Sequence, residues 1–130
     1  MAFVPLGFDY RIYGAGSVIY MVDIDQTICL TPYVSGKHMY EHSIPLHHRI
    51  EAINKLYDQG HTIIYWTARG SGSGIDWTEL TNKQLTEWGC KFHEARLGKP
   101  SYDIWIDDKA FSDREFFHIV DYEHRGEINE

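Results

Sequence analysis

Three short apolar runs divide the chain, and each has the length of a single β-strand. They are VIYMV (18–22), TIIYW (62–66) and YDIWI (102–106). β-branched and aromatic residues dominate all three runs, which favours strands over helices. None of the runs alternates between apolar and polar positions, so we expect each strand to be covered on both faces, as in a parallel sheet.

Helices are predicted between and after these runs, in 43–60, 75–89 and 112–126. In the first of them, apolar residues recur at helical spacing, with Pro45 near the start and Gly60 at the stop. Two pairs of residues match the capping-box pattern of a helix N-terminus, Asp76 with Glu79 and Ser112 with Glu115.

Strands that alternate with helices predict an α/β fold, doubly wound around a mainly parallel sheet with right-handed crossovers. The 130 residues suit one compact domain, 1–130. The polar, irregular stretch 31–43 is expected to form a flap above one edge of the sheet. The N-terminal stretch YRIYGAGS (10–17) is compatible with either an edge strand or a segment that wraps the core.

Charge and cysteine content narrow the classes of partner and compartment. The 19 acidic residues outnumber the 12 basic ones, which argues against nucleic acid or an anionic membrane as the main partner. The two cysteines, Cys29 and Cys90, do not suggest a disulfide framework, so we expect a reduced, cytoplasmic setting. No apolar stretch is long enough to span a bilayer, and the N-terminus lacks the basic start of a signal peptide.

Polar residues follow each apolar run, at the point where the predicted strand ends. They are Asp23, Thr67 and Asp107. Because the carboxyl ends of parallel strands meet at one edge, where ligands bind in open α/β sheets, we expect these side chains to converge. Asp25 lies two residues after Asp23 and should face the same cavity, and Asp108 should join them.

Such a cluster of carboxylates predicts a bound cation. Neighbouring carboxylates repel one another unless a cation lies between them, and oxygen-only ligands select a hard ion such as Mg²⁺. Lys99 lies in the loop before the third apolar run, where its ammonium could reach the same edge. A magnesium ion, an ionised aspartate and a lysine together are a setting for phosphoryl transfer.

Four short segments resemble, in order, the four motifs of the haloacid dehalogenase (HAD) superfamily of phosphatases. They are DIDQT (23–27), YWTARG (65–70), GKP (98–100) and DIWIDDKA (103–110). The resemblance covers residues 18 to 111, and it is closer still to small members without a separate cap domain that are regarded as capsule-biosynthesis phosphatases. It implies a HAD-like Rossmannoid fold, Mg²⁺ as cofactor and hydrolysis of phosphomonoesters through an aspartyl-phosphate.

The resemblance also implies a chemical role for individual residues. Asp23 matches the nucleophile, and Asp25 matches the general acid that protonates the leaving group and later activates water. Thr67 matches the hydroxyl that holds a phosphate oxygen, and Lys99 matches the cation that neutralises the transferring group.

The implied ligand sets follow from the same motifs. The implied metal ligands are Asp23, Asp25, Asp107 and Asp108. The implied phosphate-binding residues are Asp23, Ile24, Asp25, Thr67, Ala68 and Lys99, some of them through backbone amides. Gln26 departs from the family, which most often has glycine there, so its side chain must point away from the phosphate or contact the substrate.

Other residues near these motifs are further candidates for the site. Arg69 either binds the substrate or pairs with an acidic neighbour. The flap residues Tyr33, Lys37 and His38 are candidates for contact with the substrate. The histidines at 38, 42, 47 and 48 include the H-x₃-H spacing of a helical zinc site, but no cysteine with suitable spacing accompanies them.

The sequence therefore predicts a magnesium-dependent phosphatase that acts on a small phosphorylated metabolite, foremost a sugar phosphate. A second copy of the chain is a candidate to cover the open site, as a homo-oligomer. Two other classes remain. A receiver-type phosphoacceptor domain would have its paired acids in the first strand loop and its acceptor in a later one, whereas here the DxD pair comes first. A catalytically idle binding module would not need all the chemical residues that are present.

Overall fold

The computed structural model describes residues 16–128. The strands are β1 (Ile19–Val22), β2 (Cys29–Leu30), β3 (Tyr33–Val34), β4 (Lys37–His38), β5 (Ile44–Pro45), β6 (Thr62–Trp66) and β7 (Glu94–Arg96). The α-helices are α1 (His47–Asp58), α2 (Thr78–Glu87), α3 (Asp113–Phe116) and α4 (His118–Ile128), and a 3₁₀ turn spans Tyr40–His42.

The described residues form an α/β fold around a parallel sheet with the strand order β1-β6-β7. Ile19 lies opposite Thr62 and Val22 opposite Tyr65 in the β1–β6 pair. The first two predicted strands are confirmed, with bounds within one residue of the apolar runs. The α/β class and the parallel pairing follow directly from this sheet.

The third predicted strand, 102–106, is wrong. This segment lies outside the sheet, and Ile104 and Ile106 are 80% and 93% exposed. Trp105 instead packs edge-on against Trp66, at 6.0 Å between ring centroids. The third strand of the sheet is β7, a short edge strand whose polar residues gave no apolar signal.

Helix boundaries differ from the prediction at two N-termini. Pro45 lies in β5, and α1 begins two residues later at His47. α2 begins at Thr78 rather than Asp76, whose carboxylate accepts hydrogen bonds from the Thr78 amide and hydroxyl at 2.9 and 2.6 Å. The predicted capping box of Asp76 and Glu79 is therefore wrong, since an Asx-type turn precedes the helix instead.

Two other helix signals are confirmed. Ser112 caps α3, and both hydrogen bonds of its capping box with Glu115 are present. Gly60 ends α1 with a φ of +94°, a left-handed conformation that glycine adopts without steric cost.

The core lies on one face of the sheet, against α1. Ile63 and Tyr65 point to this face from β6 and are fully buried. They belong to one apolar cluster with residues of α1, α2 and the α3–α4 junction, which includes Ile50, Ile53, Leu56, Leu85 and Phe117. On β1, Ile19 and Met21 are 66% and 48% exposed, so the expectation that every strand is covered on both faces is wrong for β1.

A buried arginine connects α1 to the C-terminal helices and to the loop after β1. Arg49 donates to both carboxylate oxygens of Asp121, at 2.9 and 2.7 Å, and to Asp113 at 2.8 Å. It also donates to the Thr27 carbonyl at 3.0 Å and lies 4.8 Å from the centre of the Phe117 ring. The loop that carries the DxD pair is thus tied to the far end of the chain.

The predicted flap is more regular than its sequence suggests. β3 and β4 form a hairpin, and Ser35 and Gly36 occupy its turn with φ angles of +51° and +78°, as in a type I′ turn. β2 and β5 pair at its base. The question of an N-terminal strand in 10–17 falls almost wholly outside the described residues.

Neither cysteine forms a disulfide. Cys29 is buried and Cys90 partly buried, and both are free thiols. In the described part of the chain, no helix has the length and apolar character needed to cross a bilayer.

Candidate functional site

The loop after β1 is a tight turn that places the DxD pair at the carboxyl end of the strand. The Ile24 carbonyl accepts from the amides of Thr27 and Ile28 at 3.1 and 2.9 Å. Gln26 has a φ of +62°, in the left-handed region where glycine is favoured. Its side chain exchanges two 3.1 Å hydrogen bonds with the backbone of Thr31, which offset the strain. Gln26 is therefore turned toward the base of the flap.

Asp23 carries a partly exposed carboxylate beside a lysine. Its Oδ1 lies 3.5 Å from Lys99 Nζ, and its Oδ2 accepts from Thr27 Oγ1 at 3.1 Å. Desolvation by burial raises the pKa of Asp23, although the positive charge of Lys99 and the Ile24 amide act against this rise. A further cation beside this carboxylate would favour its ionised form.

Thr67 and Lys99 are held next to each other by the backbone. The Lys99 amide donates to the Thr67 carbonyl at 3.1 Å, and Thr67 itself is 1% exposed. The Thr67 hydroxyl accepts from the Arg69 amide at 3.2 Å. Lys99 Nζ also lies 5.2 and 5.8 Å from the ring centres of Tyr102 and Trp105. The structure thus places Thr67 at the end of β6, beside the loop that brings Lys99 to Asp23.

The resemblance also implies that the backbone amides of Ile24 and Ala68 bind phosphate, and these residues lie in the loops after β1 and β6. The Ala68 carbonyl accepts from the Ser71 amide at 2.9 Å, in a turn that follows β6. Ile24 is 1% exposed and forms the floor of the loop after β1. Both turns direct their carbonyl oxygens into local hydrogen bonds.

Asp25 is engaged by a buried arginine. Arg69 Nε donates to Asp25 Oδ2 at 2.9 Å, and Nη2 donates to Oδ1 at 2.8 Å. Oδ1 also accepts from the hydroxyl of Thr31 and, at 3.7 Å, from the thiol of Cys29. Burial raises the pKa of Cys29 to about 11, so this thiol stays protonated and donates. Of the two readings of Arg69, the structure favours the pair with an acidic neighbour.

Asp107 and Asp108 follow the third apolar run, which does not form a strand. Both lie in the exposed segment after Trp105. A hydrogen bond from the Lys109 amide and another from the Trp105 indole hold the pKa of Asp107 below its usual range. Within residues 16–128, no group of three His, Cys, Asp or Glu side chains is placed to hold a metal ion. The predicted convergence depended on a strand at 102–106, which this structure does not contain.

The predicted substrate residues of the flap are exposed. Tyr33, 64% exposed, lies 4.8 Å from His38 between ring centroids, and His38 stacks on Tyr40 at 5.5 Å. Tyr40 in turn meets Trp77 edge-on at 5.0 Å. Lys37 is exposed beside them on β4. These residues form an aromatic row along the flap.

The four histidines of the zinc hypothesis do not act as a group. His48 Nε2 lies 2.8 Å from Asp121, and its ring stacks on His124 at 4.0 Å. His38 belongs to the aromatic row of the flap, while His42 and His47 are exposed. A shared zinc site therefore has no support among the described side chains.

A shallow cavity of about 180 Å³ borders the loop after Thr67. It is lined by residues 69–71, 75–76, 78 and 97–98. Gly70 adopts a φ of +83° there, and a Cβ at this position would lie 2.1 Å from the Ile75 carbonyl oxygen. The close approach of these two backbone segments requires glycine.

Sequence reasoning missed several partners of the site. Thr31, Thr81 and Gln84 are buried polar residues that contact Asp25 or Arg69. Gln84 could have been recognised from the sequence, because it interrupts the apolar stripe of α2 and a buried amide there needs a polar partner.

No protein-family model matches the chain, and no curated protein matches it. A solved structure does match, that of a structural-genomics target from Vibrio cholerae. The match has a TM-score of 0.63 and 21% identity, and it covers 84% of this chain and 98% of the other. The name of that protein states no function, and at this identity the likeness extends to the fold alone.

Proposed function

We propose that the chain is a HAD-type phosphatase that hydrolyses phosphomonoesters of a small metabolite. One observation carries the proposal: the Asp23 carboxylate lies 3.5 Å from Lys99 Nζ at the sheet edge where Thr67 follows the neighbouring strand β6. A carboxylate nucleophile, a cation for the phosphoryl charge and a hydroxyl donor are the groups that this reaction needs. The resemblance of the four motifs assigns them the same roles.

In the proposed reaction, an oxygen of Asp23 attacks phosphorus and the bond from phosphorus to the ester oxygen breaks. The leaving alkoxide takes a proton from Asp25, and the ammonium of Lys99 balances the charge on the transferring group. Water then attacks the aspartyl-phosphate while Asp25 accepts its proton, which regenerates Asp23 and releases phosphate.

Mg²⁺ is the proposed cofactor. The oxygen donors of Asp23, Asp25, Asp107 and Asp108 are of the kind that this ion prefers. Among the described residues these side chains do not form its coordination shell, and Arg69 engages both oxygens of Asp25. When bound, the ion would neutralise charge on the phosphoryl oxygens.

A sugar phosphate is the proposed substrate class, within capsule or surface-polysaccharide synthesis in the cytoplasm. The support is the row of exposed Tyr33 and His38 and half-buried Tyr40, with Lys37 beside it, which suits a polyhydroxylated ligand better than a lipid. A second copy of the chain is the proposed cover of the open site, and sedimentation at assay concentration tests for it.

The test is a turnover assay on a panel of phosphorylated sugars and nucleotides with Mg²⁺, with wild type and Asp23→Asn compared. Asp58→Asn is the matched control, since Asp58 is an exposed partner of Lys91 at the end of α1. We expect release of phosphate by wild type and the control, and none by Asp23→Asn. Near wild-type activity in Asp23→Asn would refute the nucleophile, and single-turnover labelling without hydrolysis would favour a phosphoacceptor domain.

A further inference from the structure

Arg69 is a fully buried charge whose donors are all directed at protein groups. Its side chain has 0% exposure, and two of its nitrogens bind Asp25. Nη1 donates to Gln84 Oε1 at 2.6 Å and to Thr81 Oγ1 at 3.2 Å. The guanidinium also lies 4.8 Å from the centre of the Tyr40 ring. Burying a guanidinium is costly unless such partners are present, so these contacts compensate the desolvation of the Arg69 charge.

The contacts of Arg69 join the DxD loop to the flap. Ser43, at the end of the flap, accepts from Arg69 Nη2 at 3.4 Å and lies 2.6 Å from the hydroxyl of Thr31. Thr31, at its start, donates to Asp25. The Gln84 amide donates to the Tyr40 carbonyl at 2.7 Å. A displacement of the flap base therefore changes the donors around the Asp25 carboxylate.

We infer that Arg69 is a positioning residue that holds the Asp25 carboxylate in its working orientation and couples that orientation to the flap. The inference rests on the proposed function, because it assigns Arg69 a role through Asp25. A bidentate pair fixes the plane of the carboxylate as well as its position. Arg69 does not bind the substrate phosphate itself, since its side chain is inaccessible and its donors already have partners.

The conservative change Arg69→Lys separates positioning from charge. Lysine keeps the positive charge but lacks the planar fork that grips both oxygens of a carboxylate. The orientation of Asp25 should then be lost while the buried charge pair persists. Arg96→Lys is the matched control, because Arg96 pairs with Glu94 on the exposed face of β7.

The experiment measures two steps with p-nitrophenyl phosphate, whose leaving group needs no proton. Formation of the aspartyl-phosphate should stay within about threefold of wild type in Arg69→Lys, because this step does not use Asp25. Hydrolysis of the intermediate should slow by roughly ten- to hundredfold, the cost of a misplaced catalytic group. The intermediate should therefore accumulate, whereas Arg96→Lys should behave as wild type.

A double-mutant cycle decides whether the effect passes through Asp25. Adding Arg69→Lys to Asp25→Asn should cause no further slowing of hydrolysis. Equal slowing of both steps, or a further loss in the double variant, would overturn the inference while leaving Asp23 as nucleophile. Absence of any phosphoenzyme in wild type would instead overturn the proposed function.

A second variant covers the case in which Arg69→Lys does not fold. Gln84→Met removes the bonds to Arg69 Nη1 and to the Tyr40 carbonyl but leaves both bonds from Arg69 to Asp25. We expect hydrolysis to slow by about threefold, again with no added loss in Asp25→Asn. A loss that persists in that background would overturn the coupling.

Discussion

Replacing Arg49 with methionine should destabilise the fold. The change leaves the carboxylates of Asp113 and Asp121 and the carbonyl of Thr27 without the donors that Arg49 supplies. Removing one partner of a buried pair costs about 3–5 kcal/mol. Asp113 and Asp121 are 33% and 23% exposed, so water can replace part of the loss. We therefore expect a loss of about 3 kcal/mol at neutral pH.

The pH dependence of Asp121→Asn provides an independent check. Burial raises the pKa of Asp121, but hydrogen bonds from Arg49 and His48 outweigh it and hold the pKa below its usual value. A group with a lowered pKa in the folded state contributes stability above its unfolded pKa of about 3.9. That contribution disappears as the pH falls through the folded pKa. The deficit of Asp121→Asn should thus be largest at neutral pH and shrink below about pH 4.

Urea unfolding from pH 3 to pH 7 measures both effects. Arg96→Met is the matched control, because its exposed pair with Glu94 should contribute less than about 1 kcal/mol. In thermal melts, Arg49→Met should unfold about 12 °C below wild type, at about 4 °C for each kcal/mol. A shift no larger than that of Arg96→Met, or an Asp121→Asn deficit that grows in acid, would refute the reasoning.

Four further predictions concern the site. Gly70→Ala should lower both stability and activity, because its Cβ would clash with the Ile75 carbonyl oxygen; a melting curve and kcat/KM at wild-type values would contradict this. EDTA should abolish phosphatase activity and Mg²⁺ should restore it, whereas full activity in metal-free buffer would exclude the proposed cofactor. Asp25→Asn should still form the phosphoenzyme from p-nitrophenyl phosphate but hydrolyse it slowly; loss of both steps would place Asp25 elsewhere in the reaction. Replacing residues 34–40 with a short Gly-Ser link should reduce activity on a sugar phosphate far more than on p-nitrophenyl phosphate, and equal losses would remove the flap from substrate recognition.

The sequence predicted β1 and β6 because buried strands in a parallel sheet are continuous apolar runs. The same criterion failed at 102–106, since apolar composition does not show whether a backbone finds a pairing partner. It also missed β7, where Glu94 and Arg96 are exposed and Ala95 alone is partly buried. An edge strand of this kind has too little buried surface to leave a pattern.

For the candidate site, the rule that parallel strands end at one edge predicted that Thr67 would lie near the DxD pair. The position of Lys99 followed from its loop. The predicted approach of Asp107 relied on the third apolar run, which forms no strand. The pairing of Arg69 with Asp25 was left open, because spacing alone does not distinguish a buried ion pair from a ligand contact.

The large sequence separation of the two parallel strands also affects the order in which the chain folds. β1 and β6 are far apart in sequence: Val18, just before β1, donates to the His61 ring across 43 residues. At about 5–20 residues per second, a ribosome needs roughly 2 to 9 s to make that span. The flap hairpin can close within microseconds of its synthesis, whereas β1 cannot pair until β6 has been synthesised. During this interval the apolar residues that β1 later buries, such as Val22, are exposed and can start aggregation.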